Sequence, residues 1–228
     1  MQLPPHPNAD SWRGQAIRQH AFRDSRLYKI WADCNMFCLT KCRRSDQQHY
    51  DHYTNLGNDL KQAIQKTKEV YGIASQGEDA DLHICLSHQK RKRINHKKQS
   101  DFSRNLPHVV INESENEHEY KLCLETPLIG ACTGNKIING VRYKVVEILE
   151  NEICVKAQDE KVIKINKDIC GKILQLGWAC VYQKVQGQTV SGTVQLHDFY
   201  SRHFKIEHLY VGLSRVVHHS KIKLGSSI

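Results

Sequence analysis

Gln186-Gly187-Gln188-Thr189, followed further on by Tyr210-Val211-Gly212-Leu213-Ser214-Arg215, is the stretch on which the reading of this chain turns. In the first segment Gly187 permits positive φ or close backbone approach, and Thr189 can cap a helix or touch a phosphate. By itself it reads as a glycine turn before a strand at 190–196. In the second, an apolar strand or helix start delivers Arg215 to a fixed place, where a guanidinium can clamp a transferring phosphoryl group. By itself it reads as a surface Arg after a buried strand. The two together, in this order and near the C-terminus, carry more weight than either.

Upstream, residues 1–12 are Pro-rich and polar and predict an extended loop. Residues 13–35, with Ile17, Phe22, Leu27 and Ile30, predict one or two helices. Residues 36–40 fit a strand or a helix edge. Residues 46–72 are the best helical region, with Leu56, Leu60, Ile64 and Val70 near helical spacing. Asp81 to Ser87 reads as a strand running into a helix start, and the basic run Lys90-Arg91-Lys92-Arg93-Ile94-Asn95-His96-Lys97-Lys98 follows at once. Residues 99–120 read as a polar surface excursion. From 121 to 169 short β-rich pieces alternate with turns, at 121–124, 141–148, 153–157 and 161–165. Asn139-Gly140 is a hairpin turn signal among them. After Leu174 strand and loop alternate again, ending at Ile222-Lys223-Leu224.

The bulk numbers narrow the class. The chain has 228 residues, enough for one large domain or two small ones; 39% are hydrophobic and 25% charged, the proportions of a soluble globular protein. No apolar run suits a membrane span, and the first residues lack the regions of a secretory signal. With Lys plus Arg at 33 and Asp plus Glu at 24, the net charge of +9 fits a polyanionic partner, nucleic acid first, or plain solubility. The nine Cys include no CxxC pair. Cys34, Cys38 and Cys42 share one face if helical, without a second Cys/His cluster to complete a zinc site, so buried reduced thiols in an intracellular protein are the better reading. His203, His218 and His219 read as surface residues. The basic run fits a nucleic-acid backbone contact through Lys90, Arg91 and Arg93, a nuclear localisation signal, or a solvated helix face.

Set in order, the motifs resemble the last conserved segments of superfamily-1 DNA helicases of the RecD/Pif type, which read like TIHKSQGQT and then YVALSR or YVGLSR. Here residues 181–189 read VYQKVQGQT, and 210–215 match the second in every position. Gln2-Leu3-Pro4-Pro5 resembles the family's QLPP segment, whose Gln senses the nucleotide γ-phosphate. Arg43-Arg44-Ser45-Asp46 resembles the segment whose Arg reaches the phosphates, with Arg43 favoured over Arg44. Residues 85–95, ending Ile94-Asn95, and the β-rich stretch match two further family features. The resemblance implies a RecA-like α/β motor domain of the P-loop-NTPase type over 1–124 and 171–228, split by a small SH3-like β-barrel at 125–170. It implies nucleotide contacts from Gln2, Arg43, Gly187, Gln188 and Arg215, with Arg215 as the arginine finger and Gln2 and Arg43 also in the catalytic set. It implies contacts to single-stranded or forked DNA from Lys184, Gln186 and Thr189, and a role in DNA repair or recombination.

The resemblance also has gaps. The family's ATP and Mg²⁺ site needs a GxxxxGK[ST] loop and an acidic pair. No Gly-Lys-Thr or Gly-Lys-Ser occurs, and Gly171-Lys172 is followed by Ile173. In the family those parts precede QLPP, where this chain begins. The expectation is therefore a second motor domain without its first, unable to hydrolyse ATP alone and dependent on a first domain in cis or trans. Val181, Gln183 and Val185 replace a Thr, a His and a Ser of the family pattern, which removes hydrogen-bonding groups worth about 1 kcal/mol each. A nucleic-acid-binding relic without catalysis is the alternative.

Overall fold

The computed structural model describes residues 26–31, 45–74, 79–112, 119–134, 136–157 and 161–225. Gln2, Arg43, Arg44, Cys34, Cys38 and Cys42 lie outside them.

Two sheets organise the chain. The first is wholly parallel, with strands in the order β11-β10-β1-β9: β1 (Leu82–Cys85), β9 (Ala179–Val181), β10 (Val194–Leu196) and β11 (Ile222–Leu224). Every residue of β1, β9 and β10 is buried, as expected of parallel strands covered on both faces. Helix α4 (His88–Ser103) packs on β1 and β9. Helix α3 (Leu60–Tyr71) packs on β11, and α2 (Gln47–Thr54) and α3 both meet α6 (Ile206–Leu213). One hydrophobic core joins Tyr53, Leu56 and Ile64 of the helical region to Ile84, Leu196, Leu209 and Leu224. A further short helix, α1, spans Arg26–Trp31, inside the expected helical stretch.

The second sheet is antiparallel, in the order β7-β6-β5-β4-β8. Its strands are β4 (Pro127–Gly130), β5 (Arg142–Ile148), β6 (Glu152–Ala157), β7 (Val162–Asn166) and β8 (Leu174–Leu176), with α5 (Lys167–Ile173) between the last two. Burial alternates along β7 and through much of β5, one face inward, which is why this stretch is legible as β from periodicity alone. Tyr143, Val145, Ile153, Val155, Ile163 and Ile165 form its own core. The segment between β1 and β9 thus holds this sheet together with α4 and the ribbon of β2 (Val109–Asn112) and β3 (Glu119–Leu122).

Several expectations change. The helical region at 46–72 is two helices, parted at residues 55–59. Asp46 caps the first, and Asp59 caps the second by accepting from the amides of Lys61 and Gln62. Residues 99–120 are not all excursion: α4 continues to Ser103, and β2 and β3 follow. The strand expected at 190–196 is only Val194–Leu196. Asn139-Gly140 does turn the chain, with Gly140 at φ 82°, but it closes the longer 131–141 connection that leads into β5.

Candidate functional site

The loop that follows β9 is a chain of tight turns. Lys184 N–H donates to Val181 O (2.9 Å) and Gln188 N–H to Val185 O (3.2 Å), and Gly187 takes φ 79° at the apex. No atom would lie within 4 Å of a Cβ on Gly187, so glycine is selected there by backbone angle and not by space. The root is rigid. Tyr182 is fully buried, its amide donates to Cys85 O and its hydroxyl to His197 O (3.0 Å).

Arg215 seals this loop from below. It is the first residue but one after α6, so the segment 210–215 is a helix with a turn and not a strand. Gly212 lets that helix close on the sheet, since a Cβ there would come within 2.7 Å of Leu196 Cδ2. Arg215 is 8% exposed. Its guanidinium donates to three backbone oxygens, Val211 (2.9 Å), Gln188 (3.0 Å) and Val185 (3.3 Å), and to the Ser214 hydroxyl (2.7 Å). In return Val190 N–H donates to Arg215 O (2.8 Å). The two motifs that stand apart in the sequence are one hydrogen-bonded unit. Gln188 extends it, because its Nε2 donates to Lys184 O and to Gly140 O (2.8 Å) in the second sheet. Gln186 is half-buried and its Nε2 finds no partner among the described residues, while Thr189 is exposed.

The unit is clamped on its other side by the start of α2. The Asp46 amide donates to Val217 O (3.0 Å), and its carboxylate accepts from His49 N–H and His219 N–H (2.8 Å). Burial alone would raise that carboxyl, but the two amides more than offset it and hold it below the usual carboxylate value. His49 is fully buried and holds the end of α6. A carbonyl can only accept, so Nε2 carries the proton to Leu213 O (2.9 Å) and Nδ1 accepts from the Tyr71 hydroxyl (2.8 Å). Burial lowers its pKa and keeps it neutral. His49 was not evident from the sequence. The only signal was its place three residues after a capping Asp, and His218 and His219 lie exposed beside the same Asp46.

The basic run divides by helix face. Arg91, Asn95, Gln99 and Ser103 recur every fourth residue and form the buried side of α4. Asn95 accepts from Ala179 N–H (2.7 Å) and donates to Leu176 O and Ala179 O, so the Ile-Asn pair of the sequence pins the chain where it re-enters the parallel sheet. Gln99 accepts from the Trp178 indole (2.9 Å). Lys90 is paired with Asp198 (2.7 Å), a residue held at φ 72° whose other oxygen accepts from Leu86 N–H. Arg93 is exposed, and Arg91 is buried with Nη1 on the Gln175 side-chain oxygen. Lys184 is half-buried beside Arg91, and burial first and Arg91 second lower its pKa.

Among the described residues no group of His, Cys, Asp and Glu could hold a metal ion, and no helix is long and apolar enough to cross a membrane. The described residues also leave a nucleotide phosphate no uncommitted guanidinium at the 182–190 loop, because Arg215 is turned onto carbonyl oxygens. Of the cysteines, Cys85, Cys123, Cys154, Cys170 and Cys180 are buried and Cys132 is exposed, all as free thiols.

No model of a known protein family matches the sequence, and no curated protein matches it. Solved structures do. Bacteroides Pif1 bound to ssDNA superposes with a TM-score of 0.58 at 23% identity, over 82% of this chain and 51% of its own. A Bacteroides Pif1 helicase in complex with ADP-AlF3 and ssDNA gives 0.58 at 21%, over 83% and 52%. A Pif1 helicase from Candida albicans gives 0.57 at 16%, over 80% and 54%. At such identities the likeness is one of fold, and the chain spans about half the length of these structures.

Proposed function

We propose that this chain is the second motor domain of a superfamily-1 DNA helicase, of the 5′-to-3′ type, acting on single-stranded or forked DNA. The observation that carries the reading is the unit just described: the 182–190 loop, Arg215 and Asp46 bonded together on a fold shared with Pif1 structures. Such a unit lets a change at the nucleotide face move the loop without an intermediary. The neighbours were solved with ssDNA and with ADP-AlF3, which supports the same two ligands here.

In this reading Arg215 is the arginine finger and Gly187 and Gln188 form the coupling loop, while Arg43 and Gln2, outside the described residues, serve the same nucleotide. Gln186, Thr189 and Lys184 face the strand, with Lys90, Arg91 and Arg93 from the first two turns of α4 alongside, Arg91 from its buried side and Arg93 from its exposed one. The second sheet serves as the small SH3-like barrel inserted in the motor domain, which adds β8 (Leu174–Leu176) to the 125–170 stretch expected for it and leaves 1–124 and the rest of 171–228 to the motor domain. ATP and Mg²⁺ would be held chiefly by a first motor domain, so the chain alone does not hydrolyse ATP. This chain's own part is to release Arg215 from its carbonyls when the two domains close.

The test pairs this chain, fused or mixed, with a Pif-type first motor domain and measures DNA-stimulated ATPase. Arg215→Ala should reduce the rate by about 10³-fold or more, the range for an arginine finger. Activity that ignores this change would overturn the assignment. One observation favours a second reading, a nucleic-acid-binding relic: Arg215 is fully occupied within the chain. For that reading, DNA affinity would respond to salt but not to an ATP analogue.

A further inference from the structure

Residues 136–141, which lead into β5, are bonded at every amide from Ile137 onward. Ile137 N–H donates to Gly134 O (2.8 Å), Ile138 N–H to the Tyr143 hydroxyl (3.0 Å) and Asn139 N–H to the Thr133 hydroxyl (3.3 Å). Gly140 N–H donates to Gly130 O (2.9 Å) and Val141 N–H to Ile138 O (3.2 Å). Ahead of this foot the segment carries two exposed side chains, Lys136 and Ile138. A segment tied at each step passes a shift at its foot on to its tip, because close-packed parts transmit strain.

One contact from the motor side reaches that foot. Gly140 is buried, and the Gln188 side-chain amide donates to its carbonyl (2.8 Å). A Cβ on Gly140 would lie 3.3 Å from Gln188 Nε2, so glycine gives the amide its room. The same Nε2 donates to Lys184 O (2.7 Å). The backbone of Gln188 is held as well: its carbonyl accepts from Arg215 Nη1 (3.0 Å), and its N–H donates to Val185 O (3.2 Å). One residue thus holds Arg215 through its backbone and Gly140 through its side chain. A buried carbonyl stripped of its donor is costly, so residues 136–141 follow Gln188 more readily than they part from it.

We propose that Gln188 is a positioning residue, which sets the place of residues 136–141 in the antiparallel sheet according to the state of Arg215. With Arg215 on the carbonyls of Val185 and Gln188, the loop is anchored and the tip stays where it is. When Arg215 leaves, Gln188 loses its backbone anchor, and the tip with Lys136 and Ile138 shifts with it. This role is distinct from a nucleotide contact, since the Gln188 side chain is spent on two backbone carbonyls. It deepens the reading above and rests on it only for what draws Arg215 away, the closing of a first motor domain. The tie itself belongs to this chain alone.

The test is native-state amide hydrogen exchange on the whole chain, read over 136–141, over 183–190 and, as reference, over β6 and β7. Arg215→Lys removes the planar fork and keeps the charge. It should speed exchange of both segments, 136–141 by about fivefold, the effect of one ordinary hydrogen bond, while β6 and β7 stay unchanged. Gln188→Ala should speed 136–141 to a similar degree. The double variant decides: Arg215→Lys added to Gln188→Ala should still speed 183–190 but move 136–141 no further. A merely structural part for Gln188 would make the two effects add, which overturns the proposal, as does Arg215→Lys with 136–141 unmoved. Gly140→Ala probes the tie from its other end, without touching Arg215. It should speed 183–190 as well as 136–141, and an effect confined to 136–141 overturns the tie even if the Arg215 variants fold poorly. ATPase that ignores Arg215 while this exchange pattern holds overturns only the motor reading.

Discussion

Arg215→Ala in the isolated chain is the most informative perturbation. A finger that waits in solvent for a partner domain contributes little to the stability of its own domain. This Arg instead makes four hydrogen bonds at 8% exposure, three of them to backbone oxygens of two different segments. Hydrogen bonds to a charged donor are worth about 1.5–3 kcal/mol each. Two terms reduce their sum: removing the cation recovers its desolvation cost, and water can enter to serve the freed carbonyls. The net expectation is a loss of about 2–4 kcal/mol. With a urea m-value of about 2–3 kcal/mol/M, the midpoint should fall by about 1 M. Arg215→Lys keeps the charge but not the planar fork, so it should fall between. Equilibrium urea unfolding followed by fluorescence reads all three, with the Trp178 indole as reporter. An Arg215→Ala midpoint within error of wild type would refute the claim that Arg215 binds the two motifs into one unit, and with it the idea that release of this Arg is part of the cycle.

Other outcomes follow from the same geometry. Gly187→Ala should cost about 1 kcal/mol through its positive φ alone, and Gly187→Asn less, because the space around it is open. Asn95→Ala should cost about 3 kcal/mol, since it strands the Ala179 amide and two carbonyls in the interior; thermal unfolding checks it, and a change under 1 kcal/mol would mean the re-entry of the chain is held elsewhere. Acid should destabilise the chain before any carboxylate titrates. His49, His83 and His197 all have pKa values lowered chiefly by burial, His197 to about 3. Below pH about 6.5 the unfolded chain takes up protons that the folded chain refuses. Stability is therefore complete above that pH and declines as pH falls toward the folded values, by about 1.4 kcal/mol per unit for each such His. Unfolding at pH 5 and 7.5 measures the slope, and a flat profile would contradict the buried neutral histidines.

Much of the fold is legible in the sequence. The antiparallel sheet shows in the alternation of Tyr143 and Val145 or Ile163 and Ile165, because one face meets the core and the other water. The parallel strand at 82–85 shows as a short apolar run before a helix start. The face of α4 was harder. Its inner side is Arg91, Asn95, Gln99 and Ser103, so an apolar stripe gives no guide; the spacing of four was there, but polar residues at that spacing more often face solvent. The break between α2 and α3 was masked because residues on both sides keep helical spacing across it.

By itself the sequence determined the order of the motifs, the alternation of the inserted sheet and the basic charge, all of which are properties of neighbours along the chain. Only the tertiary structure decided what those residues touch. Arg215 ends on the carbonyls of Val185 and Gln188, and Gln188 on that of Gly140. Backbone oxygens are the same at every position, so a bond to one leaves no mark in the sequence. The same holds for Arg91 and Lys184, which the fold brings from distant segments to one recess. Two cations meet there because β1, which leads into α4, pairs with β9, which leads into the loop of Lys184, not because any local pattern calls for it.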